Sequence, residues 1–110
     1  MCGRFVLFTT GEALVDAVAA LPGAGHVATP DGTPPPRYNI APTQQVALVR
    51  FDASGARIDA ARWGLLPTWK KDDSGPSLFN ARAETVAQKP SFRSAFAHKR
   101  GLMLLDGYYE

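Results

Sequence analysis

The stretch that most restricts how this chain can fold lies in its middle. Gln45 to Phe51 and Ala56 to Trp63 both read as strands, and Asp52-Ala53-Ser54-Gly55 between them supplies turn chemistry. This arrangement specifies an antiparallel hairpin, in which each strand satisfies the backbone N–H and C=O groups of the other. A hairpin alone is marginal in water, so the rest of the chain must cover it. At 110 residues there is room for one small domain, and 45% hydrophobic content is enough to give it an ordinary globular core.

The remaining elements follow from local pattern. Arg4 to Phe8 reads as a strand, with Cys2 and Arg4 on one of its faces. Thr9-Thr10-Gly11-Glu12 has the spacing of a capping box, and Leu14, Val15, Val18 and Leu21 recur at helical intervals until Pro22-Gly23. Gly23 to Pro36, dense in proline and glycine, predicts an exposed loop with polyproline character. Arg37 to Gln44, in which Pro42 opposes a helix, suits either the rim of a site or a loop whose polar groups satisfy one another. Trp63 is expected in the core. Trp69, between Pro67 and Lys70-Lys71 in a polar loop running to Pro76, is the better candidate for stacking on a base.

Leu78 to Thr85, if extended, sets Asn80, Arg82 and Glu84 on one face with Ala81 and Ala83 opposite. Pro90-Ser91 starts a short helix in which Phe92 and Phe96 pair at i and i+4, closed by Gly101. Leu102 to Leu105 is an apolar strand, Asp106-Gly107 a turn, and Tyr108-Tyr109-Glu110 the start of another strand. A domain rarely stops where its next element begins. The expectation is therefore an N-terminal part of a longer domain that ends in an unpaired edge.

Charge and cysteine usage narrow the function. Twelve basic residues against ten acidic give a net charge of only +2, so any nucleic-acid site must be a local patch. The single cysteine excludes an internal disulfide, and Cys2, His26 and His98 lack the paired spacing of a zinc site. No apolar run approaches the ~20 residues of a membrane span, and the N-terminus lacks the apolar region of a signal peptide. A reducing cytosol is the expected compartment, without metal, cofactor or membrane.

Cys2 directly follows Met1, and its small side chain favours removal of that methionine. The processed chain would then begin with a free amine and a thiol on adjacent carbons. Such a 1,2-aminothiol forms a Schiff base with an aldehyde, and the thiol closes onto the same carbon in an intramolecular step favoured by proximity. The alternative is a small thiol that simply packs beneath the first strand.

Five segments, taken in order, resemble the motifs of the SOS-response-associated peptidase (SRAP) family, proteins that shield abasic sites in single-stranded DNA. They are Met1-Cys2-Gly3-Arg4-Phe5, Arg37-Tyr38-Asn39-Ile40-Ala41-Pro42, Arg62-Trp63-Gly64-Leu65-Leu66-Pro67, Asn80-Ala81-Arg82-Ala83-Glu84-Thr85 and Asp106-Gly107-Tyr108-Tyr109-Glu110. The resemblance implies an α+β, β-rich fold, with a strongly curved or barrel-like, mainly antiparallel sheet and flanking helices. Residues 1–110 would be the N-terminal part of that single domain, with the Gly23–Pro36 loop within it and the C-terminal half absent.

By the same resemblance, Cys2 would cross-link to the ring-opened sugar as a thiazolidine. Asn80 would orient the sugar and the Cys2 amine, and Glu110 would carry protons. Arg4 and Arg82 would hold phosphates, Trp69 and Pro42 would pack beside the lesion, and Asn39 joins this DNA-binding set. Lyase and autoproteolytic peptidase activities belong to the same implied chemistry. The implied partner is single-stranded DNA with abasic sites, bound by a cytoplasmic monomer that associates with the nucleoid when on DNA.

Three departures stand out. Lys70 and Leu104-Leu105 replace a tryptophan and a Pro-Ala pair found in some members, and neither His26 nor His98 matches the family's catalytic histidine. Other readings are an N-terminal-cysteine peptidase acting on its own Met1 or on peptides, a non-covalent single-strand binder, and an inactive half-domain.

Overall fold

The computed structural model describes residues 2–72, 74, 75 and 78–110. In chain order the elements are β1 (Phe5–Leu7), α1 (Gly11–Ala19), β2 (Arg37–Ile40), β3 (Gln45–Asp52), β4 (Gly55–Arg62), α2 (Arg93–His98), β5 (Leu102–Met103) and β6 (Gly107–Tyr108). The expected hairpin is the longest paired feature, continuous from Gln45↔Arg62 to Asp52↔Gly55. Its turn is closed by Asp52, whose Oδ1 accepts the Ser54 N–H at 2.7 Å. Gly55 has φ +121, and a Cβ there would lie 2.3 Å from the Ala24 carbonyl oxygen, so no other residue fits.

β5 pairs along the other side of β3, giving the sheet β4-β3-β5, while β1 lies between its partners in a second sheet, β2-β1-β6. The core fills the space between them. Phe5, Leu7 and Ile40 come from one sheet, Val46, Val49 and Ile58 from the other, and Leu14 and Val18 from α1. Trp63, buried as expected, meets the Phe5 ring edge-on at 5.1 Å. Full burial of a side chain such as Phe5 stabilises the fold by about 1.5–3 kcal/mol.

The fold is thus mixed helix and strand with antiparallel sheets, but the described residues form two three-stranded sheets and not a closed barrel. The chain crosses between sheets at Ala41–Gln44, where Pro42 has no N–H to give a ladder and the Thr43 N–H turns to the Trp63 carbonyl at 2.8 Å.

Three local expectations are corrected. Thr9 does not cap α1; Thr10 is the N-cap and makes no side-chain capping bond. The Thr10 hydroxyl donates to the Pro34 carbonyl, and Thr33 Oγ1 accepts the Gly11 N–H at 3.1 Å, so the Pro-rich segment supplies the helix start. That segment is not simply an exposed loop. Ala24 and Val27 are buried, and Ala28 exchanges hydrogen bonds with Ala56 and Ile58, covering the free edge of β4. Finally, Leu78 to Thr85 is no strand beyond a bridge from Leu78 to Leu65. The Arg82 carbonyl takes the Thr85 and Val86 N–H groups at 3.2 and 2.9 Å, which winds the chain into a turn and breaks the expected alternation of Asn80, Arg82 and Glu84.

Asp106 stitches the ends of the chain together. Its Oδ2 accepts the Phe8 and Thr9 N–H groups at 2.7 and 2.9 Å, and its Oδ1 accepts the Thr9 hydroxyl at 2.7 Å. The bonds from Thr9, backbone and side chain, hold this carboxyl below the usual range, with Phe8 adding to them. At Asp59, burial pushes the carboxyl up, but hydrogen bonds and charge from Arg57 and Arg50 outweigh it and the net shift is downward. Groups depressed in the fold lend stability that is complete above the unfolded pKa of about 3.9 and is lost as pH falls through the folded values. Thermal melts should therefore hold steady near neutrality and fall below about pH 4. Asp106→Asn should melt lower than the parent at pH 7 and show a shallower acid loss. Equal melting curves for the two proteins would remove Asp106 from the account.

Candidate active site at the N-terminal strand

β1 is the middle strand of its sheet, so it is gripped from both sides. Phe5 pairs with Ile40 on one side and Tyr108 on the other. Cys2 is half-buried and packs against the core, with its Sγ 3.7 Å from the Arg4 carbonyl oxygen. From far along the chain, Asn80 Nδ2 donates to the Cys2 carbonyl at 3.2 Å. This bond fixes the carbonyl of the residue that would be the N-terminus of a processed chain.

Arg4 faces outward and its guanidinium donates to Asn39 Oδ1 at 2.9 Å. Because that partner is a neutral amide, Arg4 keeps its full positive charge for an anion. The Tyr109 N–H donates to the Arg4 carbonyl at 3.0 Å, so pairing continues past β6. Carried one step further, that register would set the exposed Glu110 opposite Gly3.

Hydrogen bonds thus join Asn80 to Cys2 and Asn39 to Arg4 at the start of one strand, while Glu110 makes no side-chain hydrogen bond or ion pair there among the described residues. Pro42 lies just beyond β2, half-buried in the crossover. Trp69 is 59% exposed, in a turn closed by the Lys70 N–H on the Pro67 carbonyl. The Arg82 side chain is exposed, and among the described residues it has no hydrogen bond or ion pair. Neither Trp69 nor Arg82 touches the Cys2 cluster through a hydrogen bond or ring contact among the described residues. Met1, and Asp73 and Pro76 of the polar loop, lie outside the described residues.

A feature that the sequence did not single out lies on the same outward face. Between the pairs Phe5↔Ile40 and Leu7↔Arg37, Val6 alone stands opposite both Tyr38 and Asn39. Such a bulge turns both side chains to one side, which ordinary alternation would forbid. Tyr38 stacks with Phe8, centroids 6.1 Å apart and planes 15° from parallel. The Tyr109 hydroxyl donates to the Tyr38 carbonyl at 2.9 Å, and with β1 between their strands the Tyr109 ring must lie across it. The outward parity of Arg4, Val6 and Phe8 was the available signal, but the bulge was not.

Fold and site define an α+β protein whose polar cluster is built around its second residue. The family model described as SOS response associated peptidase (SRAP) matches residues 1–110, and the chain belongs to that family. The abasic site processing protein YoqW of Bacillus subtilis is 39% identical across the whole of this chain and 47% of its own length. The abasic site processing protein YedK of Escherichia coli is 35% identical, also over the whole chain and 47% of its own length. HMCES of Rattus norvegicus, another abasic site processing protein, is 34% identical over the whole chain and 36% of its own length. The chain thus spans about half the length of the first two of these relatives and about a third of the last.

If Asn80 holds the N-terminal residue, Asn80→Ala should loosen it without unfolding the domain. The backbone order parameter of the Gly3 amide should drop below about 0.6, while that of Phe5 stays near about 0.85. An unchanged Gly3 value would show that Asn80 is not its anchor.

Proposed function

We propose that this protein binds single-stranded DNA at abasic sites and captures the ring-opened sugar aldehyde on Cys2 as a thiazolidine, after Met1 is removed. The observation that carries this reading is the Asn80 amide on the Cys2 carbonyl, which orients a reactive N-terminus beside an unneutralised arginine. The relatives' shared name supports abasic-site processing as the setting.

The Cys2 amine attacks the aldehyde carbon, and loss of one water leaves a Schiff base. The thiol sulfur then adds to that carbon, and its proton passes to the nitrogen, closing the ring. Glu110 accepts and returns protons in these steps, and Asn80 keeps the amine aimed at the carbon. Arg4 and Arg82 clamp phosphates, with Asn39 orienting Arg4, while Trp69 and Pro42 pack beside the gap left by the missing base. The work is placed in the cytoplasm, on exposed single strands. The family's description also supports a peptidase reading, in which loss of Met1 is the protein's own act. Turnover of a peptide substrate in trans would favour it.

On a denaturing gel, the protein should retain single-stranded DNA bearing an abasic site and release intact DNA. Without reductant, Cys2→Ser and Cys2→Ala should give little stable adduct, and with a hydride reductant both should recover it. A form that retains Met1, checked by intact mass, should stay at background in both conditions. Equal cross-linking by the Met1-retaining form would reject the ring mechanism. Arg82→Ala should lower the slope of log affinity against log salt by about 0.7, as expected for one lost phosphate contact on a single strand. An unchanged slope would assign Arg82 a structural role.

A further inference from the structure

The aromatic row on the outward face of the first sheet takes no part in the chemistry above, yet it is continuous with the reactive end of β1. Phe8, Tyr38 and Tyr109 are 48%, 63% and 53% exposed. Their positions are nevertheless fixed: Phe8 and Tyr38 stack on each other, the bulge turns Tyr38 outward, and a hydrogen bond ties the Tyr109 hydroxyl down. Large aromatic surfaces held rigidly in the open characterise a binding face more than a core.

We propose that Phe8, Tyr38 and Tyr109 form a shelf on which the intact nucleobases flanking the lesion stack. This rests on the reading above and names the surface that holds the strand. Arg4 and Asn39 stand at the Cys2 end of the face, so a phosphate at Arg4 would lead the following bases onto the rings. From Cys2 to Phe8 the strand rises about 20 Å, room for a few nucleotides. Gly107, opposite Val6, keeps the face open; a Cβ there would rest 3.7 Å from Val6 Cγ2 and begin to fill it. Ring faces suit the task because they accept any base, and a lesion occurs in any sequence context. At this face Arg4, which has no ion pair among the described residues, stands beside apolar rings, and this matches a base-and-phosphate chain better than an acidic protein.

The test uses the whole chain with a short fluorescein-labelled oligothymidylate for affinity, and its abasic counterpart for cross-linking rate against DNA concentration. Tyr38→Ala and Phe8→Ala should weaken oligothymidylate binding about tenfold or more. They should raise the half-saturating DNA concentration for cross-linking by a similar factor while the plateau rate holds. Tyr38→Trp, which keeps a stacking face, should restore affinity, and thermal melts verify that each variant is folded. Unchanged affinity in the folded alanine variants, or failure of Tyr38→Trp to restore it, overturns the shelf. If the parent protein binds through Tyr38 but never cross-links, the covalent reading fails and the shelf stands.

Discussion

Phe5 joins the two halves of the molecule. It is 1% exposed, pairs with Ile40 and Tyr108 on either side, and packs its ring against Trp63 from the end of the hairpin. Through that contact the first sheet is registered on the second, and the residues before Phe5 are placed by a buried core and not by a loose terminus. The proposed capture on Cys2 needs this support, because chain ends are ordinarily poorly ordered. Asp106 completes it by holding the exit of β1 to the entry of β6.

The arginines divide by partner. Arg50 and Arg57 converge on buried Asp59 at 2.8 and 3.0 Å, an ion-paired cluster that belongs to the hairpin. Arg37 donates to the Gln45 carbonyl and to Gln44 Oε1, and Arg100 lies over the Phe96 ring. Arg4, like Arg37, is oriented by an amide oxygen that does not cancel its charge, but it lies two residues from Cys2. A chain with a net charge of only +2 thus presents a local positive site next to Cys2.

Much of this was legible in the sequence because it is local. The hairpin, the β1 strand, the apolar stripe of α1 and the burial of Trp63 follow from patterns a few residues long. Cys2 and Arg4, expected on one face, part instead: Cys2 packs against the core and Arg4 is exposed. What escaped depends on distant partners. Thr9 looked like a cap until Asp106, nearly the whole chain away, claimed both its N–H and its hydroxyl. The Pro-rich segment looked solvated because its apolar neighbours lie on β4. Asn80 was expected on a strand face with Arg82 and Glu84, whereas a turn beginning at Arg82 separates them and leaves Asn80 reaching Cys2. The bulge that exposes Tyr38 exists only in the pairing of β2 with β1.

The claim at the centre of this account is that the reactive atoms are the amine and thiol of Cys2. Tryptic mapping of the covalent adduct by mass spectrometry tests it directly. The account predicts the DNA remnant on the peptide Cys2-Gly3-Arg4, with a mass equal to peptide plus abasic sugar fragment less one water. A remnant on a lysine peptide such as one containing Lys70 or Lys99, or on a peptide that still carries Met1, would contradict it.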